Sequence, residues 1–310
     1  MTAPAAGHAR TTVAVGYDGS EAAQEAVRWA AEYAAAGHYR LRVVHAWVWP
    51  MFTKKLGPVK GVEGSGLRHS AEAILAEGVD LARTALAAAG TPAAEPADVE
   101  PAPEPGSEPG PGPGVEGVME TGLPAAVLRD AARDARLLVV SSRGIGGVLG
   151  QLAGSVCLDL AGSSPCPLMV VRRLRSPGQA AAPVVVGIDG TSRSSAALAG
   201  AARLAGVLGT TLQIIHIDQT RGGTREGHGR HGPLHGQELL DHALEEARAL
   251  APDLQISGVL REDHAASKEL LAAAGDAEVL VIGTHNREGG PGNTVTAILN
   301  KARCNVLITR

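Results

Sequence analysis

Short apolar runs alternate along this chain with longer segments in which alanine, valine and leucine recur at helical spacing. Runs that are apolar at every position read as strands buried on both faces of a sheet, and the spaced segments read as the helices that cover it. Val13-Ala14-Val15-Gly16 predicts a first strand, and Tyr17-Asp18-Gly19-Ser20 the turn that stops it. Ser20 offers the hydroxyl of an N-cap for a helix running to Ala36, with Gly37 as its stop. A second strand over 41–48 ends at Trp49-Pro50, a loop with Lys54, Lys55 and Lys60 follows, and residues 70–89 predict the next helix. Past residue 114 the alternation resumes. A strand over 115–120 leads to a helix opened by Gly122-Leu123-Pro124 and reaching about residue 133; a strand over 137–140, a helix over 155–161 and a strand over 168–171 complete the unit.

Residues 91–114 break this pattern with proline, glutamate and glycine in low-complexity order. Proline removes the backbone donors that helices and ladders need, so the stretch predicts a disordered insertion. It interrupts the first unit and does not link two, because the elements that finish that unit lie beyond it.

The pattern then starts again. Val184-Val185-Val186-Gly187-Ile188-Asp189-Gly190-Thr191 restates residues 13–20, and Gln213-Ile214-Ile215-His216-Ile217-Asp218 restates residues 42–47, both at an offset of 171. Near the end the offset falls to 138, where Ala302-Arg303-Cys304-Asn305-Val306-Leu307 restates residues 164–169. Most of the loss corresponds to the 91–114 insertion. Two copies of a β-α alternation predict an α/β protein with two tandem, doubly wound, mostly parallel sheets, each of about five strands with helices on both faces. The expected domains are residues 1–174 and 183–310, joined by a linker at 175–182. The final strands, short and apolar, suit pairing with each other across a domain interface.

Composition narrows the class. Hydrophobic residues make up 45% of the 310, enough for a core in each half. The aromatic residues, Trp 3, Tyr 3 and Phe 1, all fall within the first 52 positions, so both cores rest on aliphatic side chains. A net charge of −4 argues against a nucleic-acid partner, and the absence of a long apolar run argues against a membrane span. Residues 1–12 hold no apolar signal core, which makes the cytoplasm the expected location. Cys157, Cys166 and Cys304 form no CxxC pair and read as buried reduced thiols.

The chemistry concentrates after the strand at 137–140. Val140-Ser141-Ser142-Arg143-Gly144 opens a glycine-rich loop, and Gly154-Ser155-Val156 closes it at a helix start. Backbone approaches an anion closely where side chains are absent, and the first N–H groups of a helix lack helical partners, so the arrangement suits phosphate. A P-loop would require GxxxxGK[ST], which is absent. A dinucleotide fingerprint would require GxGxxG after a first strand with an acid about 20 positions on, and this loop follows a late strand. His45 and His216, at matched places in second strands, read as satisfied sheet histidines; His228, His231, His235 and His242, like the lysines at 54–60, read as solvated. No nucleophilic triad, metal-ligand spacing or carboxylate pair stands near the loop, so no catalytic residue is expected.

Taken in order, a strand ending in Asp-Gly-Ser, a strand carrying Val-Val-His-Ala, Gly-x-Pro before a helix, and a loop of the form G-x2-G-x9-G-[ST] resemble the universal stress proteins in their tandem form, with a Rossmann-like fold of the adenine nucleotide alpha hydrolase type. That resemblance implies ATP, with Mg²⁺, bound in the first domain. Asp18 and Ala46 would contact adenosine, Gly144, Gly154, Ser155 and Val156 would hold the phosphates, and Val140 and Ser141 would belong to the same cofactor-binding site. One residue departs from the motif, since Ser141 stands where its first glycine belongs. The second copy departs further. Asn286 replaces the second glycine, four residues are missing between Gly283 and Gly292, and Asn293 stands in the serine's place. The second domain is therefore expected to be a degenerate copy serving packing or regulation. The implied role is a nucleotide-responsive stress-adaptation protein that pairs its domains, or two chains, and engages a protein partner. Two alternatives stay open: a structural or interaction protein of the same fold, and an ATP-dependent hydrolase or transferase.

Overall fold

The apolar runs of both halves become neighbouring strands. This computed structural model describes residues 11–47, 65–90, 114–144, 153–175, 180, 182–218, 234–262, 265–284 and 290–310. The first half supplies β1 (Thr12–Gly16), α1 (Glu21–Ala36), β2 (Arg40–Trp47), α2 (Ser65–Gly90), β3 (Val115–Thr121), α3 (Pro124–Ala131), β4 (Leu137–Ser141), α4 (Ser155–Ser163) and β5 (Leu168–Val171). The second supplies β6 (Val184–Ile188), α5 (Ser192–Leu208), β7 (Leu212–Asp218), α6 (Gly236–Leu250), β8 (Ile256–Glu262), α7 (Ala266–Ala273), β9 (Val279–Gly283), α8 (Asn293–Lys301) and β10 (Asn305–Thr309). The predicted Ser20 cap is present, its hydroxyl accepting from the Ala23 amide at 3.2 Å. Helix α2 starts earlier than expected, at Ser65. Trp49, Lys54, Lys55, Lys60, His228, His231 and the insertion as far as residue 113 lie outside the described residues.

Each half has the doubly wound order, β3-β2-β1-β4-β5 and β8-β7-β6-β9-β10, with parallel neighbours throughout. In the first half the chain turns outward at β1 and returns on the other side at β4. The two β carboxyl ends therefore flank a switch point, where open sheets place ligands. The halves do not form separate sheets. Strands β5 and β10, expected to pair, join antiparallel and make one sheet of ten strands.

Their register is Val306 with Val170, Leu307 with Met169 and Ile308 with Leu168. At the repeat offset of 138, Met169 is the counterpart of Leu307, so the pairing is self-matched about the centre of the two strands, as in a twofold interface. Joining the edges also removes two exposed strand edges. Leu168, Met169 and Ile308 are fully buried, and each aliphatic side chain of this kind contributes about 1.5–3 kcal/mol when removed from water. Two apolar layers sandwich the sheet and run unbroken across both halves. One contains Ala26, Ala30, Ala201 and Leu204 of α1 and α5; the other contains Leu160 and Ile298 of α4 and α8.

Candidate nucleotide site

Strand β1 ends at Gly16, and the Tyr17 amide still bonds the Val44 carbonyl of β2 at 2.9 Å. The chain then turns at Asp18, whose Oδ1 accepts from the Ser20 amide at 3.1 Å and the Ser20 hydroxyl at 2.6 Å. Such a turn is what Asp-Gly-Ser favours, and Gly19 takes a φ of 83° that side chains rarely adopt. Behind it, the Tyr17 hydroxyl donates to Glu77 Oε1 of α2 at 2.8 Å; burial and then this bond push the Tyr17 phenol up to about 12. His45 is buried, with Nδ1 2.8 Å from the Tyr17 carbonyl. Its counterpart His216 stands 3.2 Å from the Ile188 carbonyl. Both are satisfied sheet histidines that tie second strands to first strands. The β1–β2 register ends with Gly16 opposite Val44; Ala46, two residues further along β2, is half-buried and pairs with Glu120 of β3.

Across the switch point, Val140 is buried in β4, and Ser141 ends the strand with its hydroxyl donating to the Arg143 carbonyl at 2.5 Å. Gly144 follows against Asp18. A Cβ on Gly144 would stand 2.6 Å from Asp18 Oδ2, so any larger residue there would push the carboxylate or the loop aside. Residues 145–152 lie outside the described residues. The chain re-emerges at Ala153, and the Gly154 amide donates to the Ser142 carbonyl at 3.0 Å, which closes the loop onto its own strand. Gly154 is the N-cap of α4 and makes no side-chain cap bond. Ser155 is exposed and Val156 half-buried in the first turn, whose amides have no helical partners. The structure thus brings Asp18, Gly144 and, through Ser142, Gly154 to one side of the β1–β4 switch point.

The second half keeps the same turn with a difference. Asp189 Oδ1 accepts from Thr191 N at 3.0 Å, Thr191 Oγ1 at 2.7 Å and Ser194 Oγ at 2.8 Å. Ala23 occupies the place of Ser194 in the first half, so that third donor is absent there. A cavity of about 390 Å³ opens at the second switch point, lined among others by Asp189, His216, Ile217, Gly283 and Gly292. Gly283, the counterpart of Ser141, shows what that departure does. Among the described residues a Cβ there would meet nothing closer than Arg193 at 3.8 Å, an ordinary contact. A serine at the strand end therefore does not by itself close the crevice.

One contact was not legible in the motifs. Ala153, at the end of the glycine loop, donates its amide to Asn300 Oδ1 of α8 at 3.1 Å, across the two halves.

The profile of the Universal stress protein family matches residues 9–172 and 182–310. The chain belongs to the universal stress protein family. Its relatives include Universal stress protein Rv2623 of Mycobacterium tuberculosis, 28% identical over 323 residues and covering 98% of each chain. Universal stress protein Rv1996 of the same organism is 28% identical over 322 residues, covering 96% of this chain and 94% of that one. Among solved structures, a universal stress protein from Archaeoglobus fulgidus superposes with a TM-score of 0.69 at 16% identity, covering 97% of this chain and 96% of that one. At that identity the likeness concerns the fold alone. This universal stress protein has no described helix long and apolar enough to cross a membrane.

Proposed function

We propose that this universal stress protein binds ATP in its first domain, residues 1–174, and acts as a nucleotide-responsive regulator in stress adaptation. The observation that carries the proposal is the approach of the Gly144 backbone to the Asp18 carboxylate, where a Cβ would stand 2.6 Å from Oδ2. Asp18 and the Ala46 backbone would hold the adenosine, with Val140 and Ser141 lining the site beside them. Gly144, Gly154, Ser155 and Val156 would present amides and a hydroxyl to the phosphates, with the α4 dipole favouring their charge. Space supports this, because among the described residues a Cβ on Gly154 would meet only the Ser142 carbonyl, at 3.7 Å. Bound Mg²⁺ would be shared by phosphate oxygens and Asp18, neutralising charge. The role is recognition rather than turnover, in the cytoplasm: the nucleotide shifts the chain toward one state, and a protein partner reads that state.

The second domain, residues 183–310, keeps the turn and the crevice but has a shorter anion loop and Asn293 in place of the serine. It therefore binds ATP more weakly or not at all. A second reading, a structural protein that needs no ligand, is favoured by the β5–β10 union, which holds both halves together without one. Titrating ATP, ADP, AMP and a cyclic nucleotide into the intact chain separates the two. Saturable binding with preference for ATP supports the first reading, and no binding to any of the four supports the second.

A further inference from the structure

Some contacts between the halves follow the repeat and others do not: Asn305 accepts from the Arg172 and Arg173 amides, whereas its counterpart at offset 138 is Pro167. Arg172 donates through Nη2 to the Leu299 carbonyl of α8, and its counterpart at offset 138, Arg310, donates through Nη2 to the Ala161 carbonyl of α4 at 3.5 Å. Ala161 and Leu299 are themselves counterparts, so each half reaches the other's helix in the same way. The last turns of α4 and α8 differ. Asn300 accepts from the Ala153 amide of the first half, and its counterpart Gly162 sits against Gly290 and Pro291 of the second. Pro291 is the counterpart of Ala153 and has no amide hydrogen to give. A Cβ on Gly162 would come within 2.9 Å of the Gly290 backbone, so no side chain could reach out from there. The first-to-second copy of the bond has thus lost both its donor and its acceptor. Among the described residues, this hydrogen bond runs from the loop of the first half to the second half and has no counterpart in the other direction.

That loop is the one that keeps the Gly-x9-Gly-Ser spacing. Ala153 immediately precedes Gly154, and with their amides committed to Asn300 and Ser142 the next amides, at 155–157, are fixed in direction as the first turn of α4. We propose that Asn300 is a positioning residue for the phosphate-facing turn, and that the second domain serves the first by completing it. The proposal rests on ATP binding by the first domain as set out above. It accounts for a second copy that has lost its own anion loop yet packs its last helical turn against the intact one. Preorganised donors bind a charged group better than donors that must be ordered on binding.

The test uses the full chain with Asn300→Leu, which keeps the bulk without an acceptor, and Asn300→Ala as a second variant. The β5–β10 ladder and both arginine contacts remain in each, so one cooperative unfolding transition is expected. Affinity for ATP should fall about three- to tenfold, the worth of one hydrogen bond, while affinity for adenosine changes less than twofold. Amide exchange without nucleotide should quicken at 153–157 and stay unchanged in β5 and β10. A merely structural Asn300 would weaken ATP and adenosine alike or leave both unchanged, and either result overturns the proposal. Unchanged exchange at 153–157 overturns it too. Wild-type protein that binds no ATP overturns the nucleotide function and this proposal together, whereas ATP binding that is indifferent to both variants overturns this proposal alone.

Discussion

Gly144→Ala puts the smallest side chain at the closest approach in the candidate site. Its Cβ would lie 2.6 Å from Asp18 Oδ2, about 1 Å short of a comfortable contact. Two responses are open. The carboxylate can swing away, giving up acceptance from the Ser20 amide and hydroxyl at 3.1 Å and 2.6 Å, bonds worth about 1.5–3 kcal/mol each when the acceptor is charged and less where solvent competes. Alternatively the loop can withdraw, a local shift of the kind overpacking causes, at about 1 kcal/mol. The second response is the easier, since Gly144 is exposed. Global stability should therefore fall by no more than about 1 kcal/mol, partly offset by the lower unfolded-state entropy of alanine. The spacing between Asp18 and the loop nevertheless opens by about 1 Å. If those two elements jointly hold ATP, about one hydrogen bond is lost and affinity drops about tenfold. Urea unfolding followed by far-UV circular dichroism measures the first quantity, and equilibrium dialysis with ATP the second. A variant that unfolds like wild type and binds ATP within twofold of it would refute the inference that this approach forms part of the site.

Other consequences are accessible to simple measurements. Trp47 ends β2 beside the proposed adenosine position, so saturating ATP should change tryptophan emission; Gly154→Val, whose branched side chain enters the phosphate space, should abolish that change and leave the circular dichroism spectrum intact. Emission indifferent to ATP in the wild type would count against the placement. Gly162→Val drives a side chain into the Gly290–Pro291 backbone and should destabilise the chain by about 1–3 kcal/mol in denaturant; a loss below 0.5 kcal/mol, about the limit of detection, would contradict the close approach of α4 and α8. Burial pushes the Cys157 thiol up to about 12 and the Cys304 thiol to about 11, from 9.0. Above pH 9 the unfolded chain releases these protons while the folded chain keeps them, so stability falls as pH rises through that window. Thermal unfolding at pH 8 and pH 10 checks the sign, and a midpoint that rises at pH 10 would oppose it. The same burial should leave both thiols slow toward a thiol reagent at pH 8 until denaturant is added, and prompt reaction in the folded state would contradict it.

The fold was legible because its signals are local. Apolar runs of the Val184-Val185-Val186 kind leave no polar face to choose between, and Ser20, Gly37 and Pro124 mark helix ends by capping and by missing donors. Internal repetition then supplied the parallel order twice over. The candidate site was legible as a motif, and the structure added a contact to it: Gly144 lies against a carboxylate 126 positions earlier, at Asp18. No local pattern carries that contact. The single continuous sheet was foreshadowed only by the short apolar strands at 168–171 and 306–309. Asn300 was missed for the same physical reason. It lies in the last turn of a helix in the other half, where composition shows merely a polar residue near a C-terminus. The copies differ in sequence at Ala153 against Pro291 and at Gly162 against Asn300, and the fold brings these differing positions into contact.

The most direct measurement is a calorimetric titration of ATP, with Mg²⁺ present, into the intact chain. Binding by the first domain alone predicts one ATP per chain, lost on Gly154→Val and retained when Asp189 is replaced by alanine. Two equivalent sites per chain, or no saturable heat at all, would contradict it.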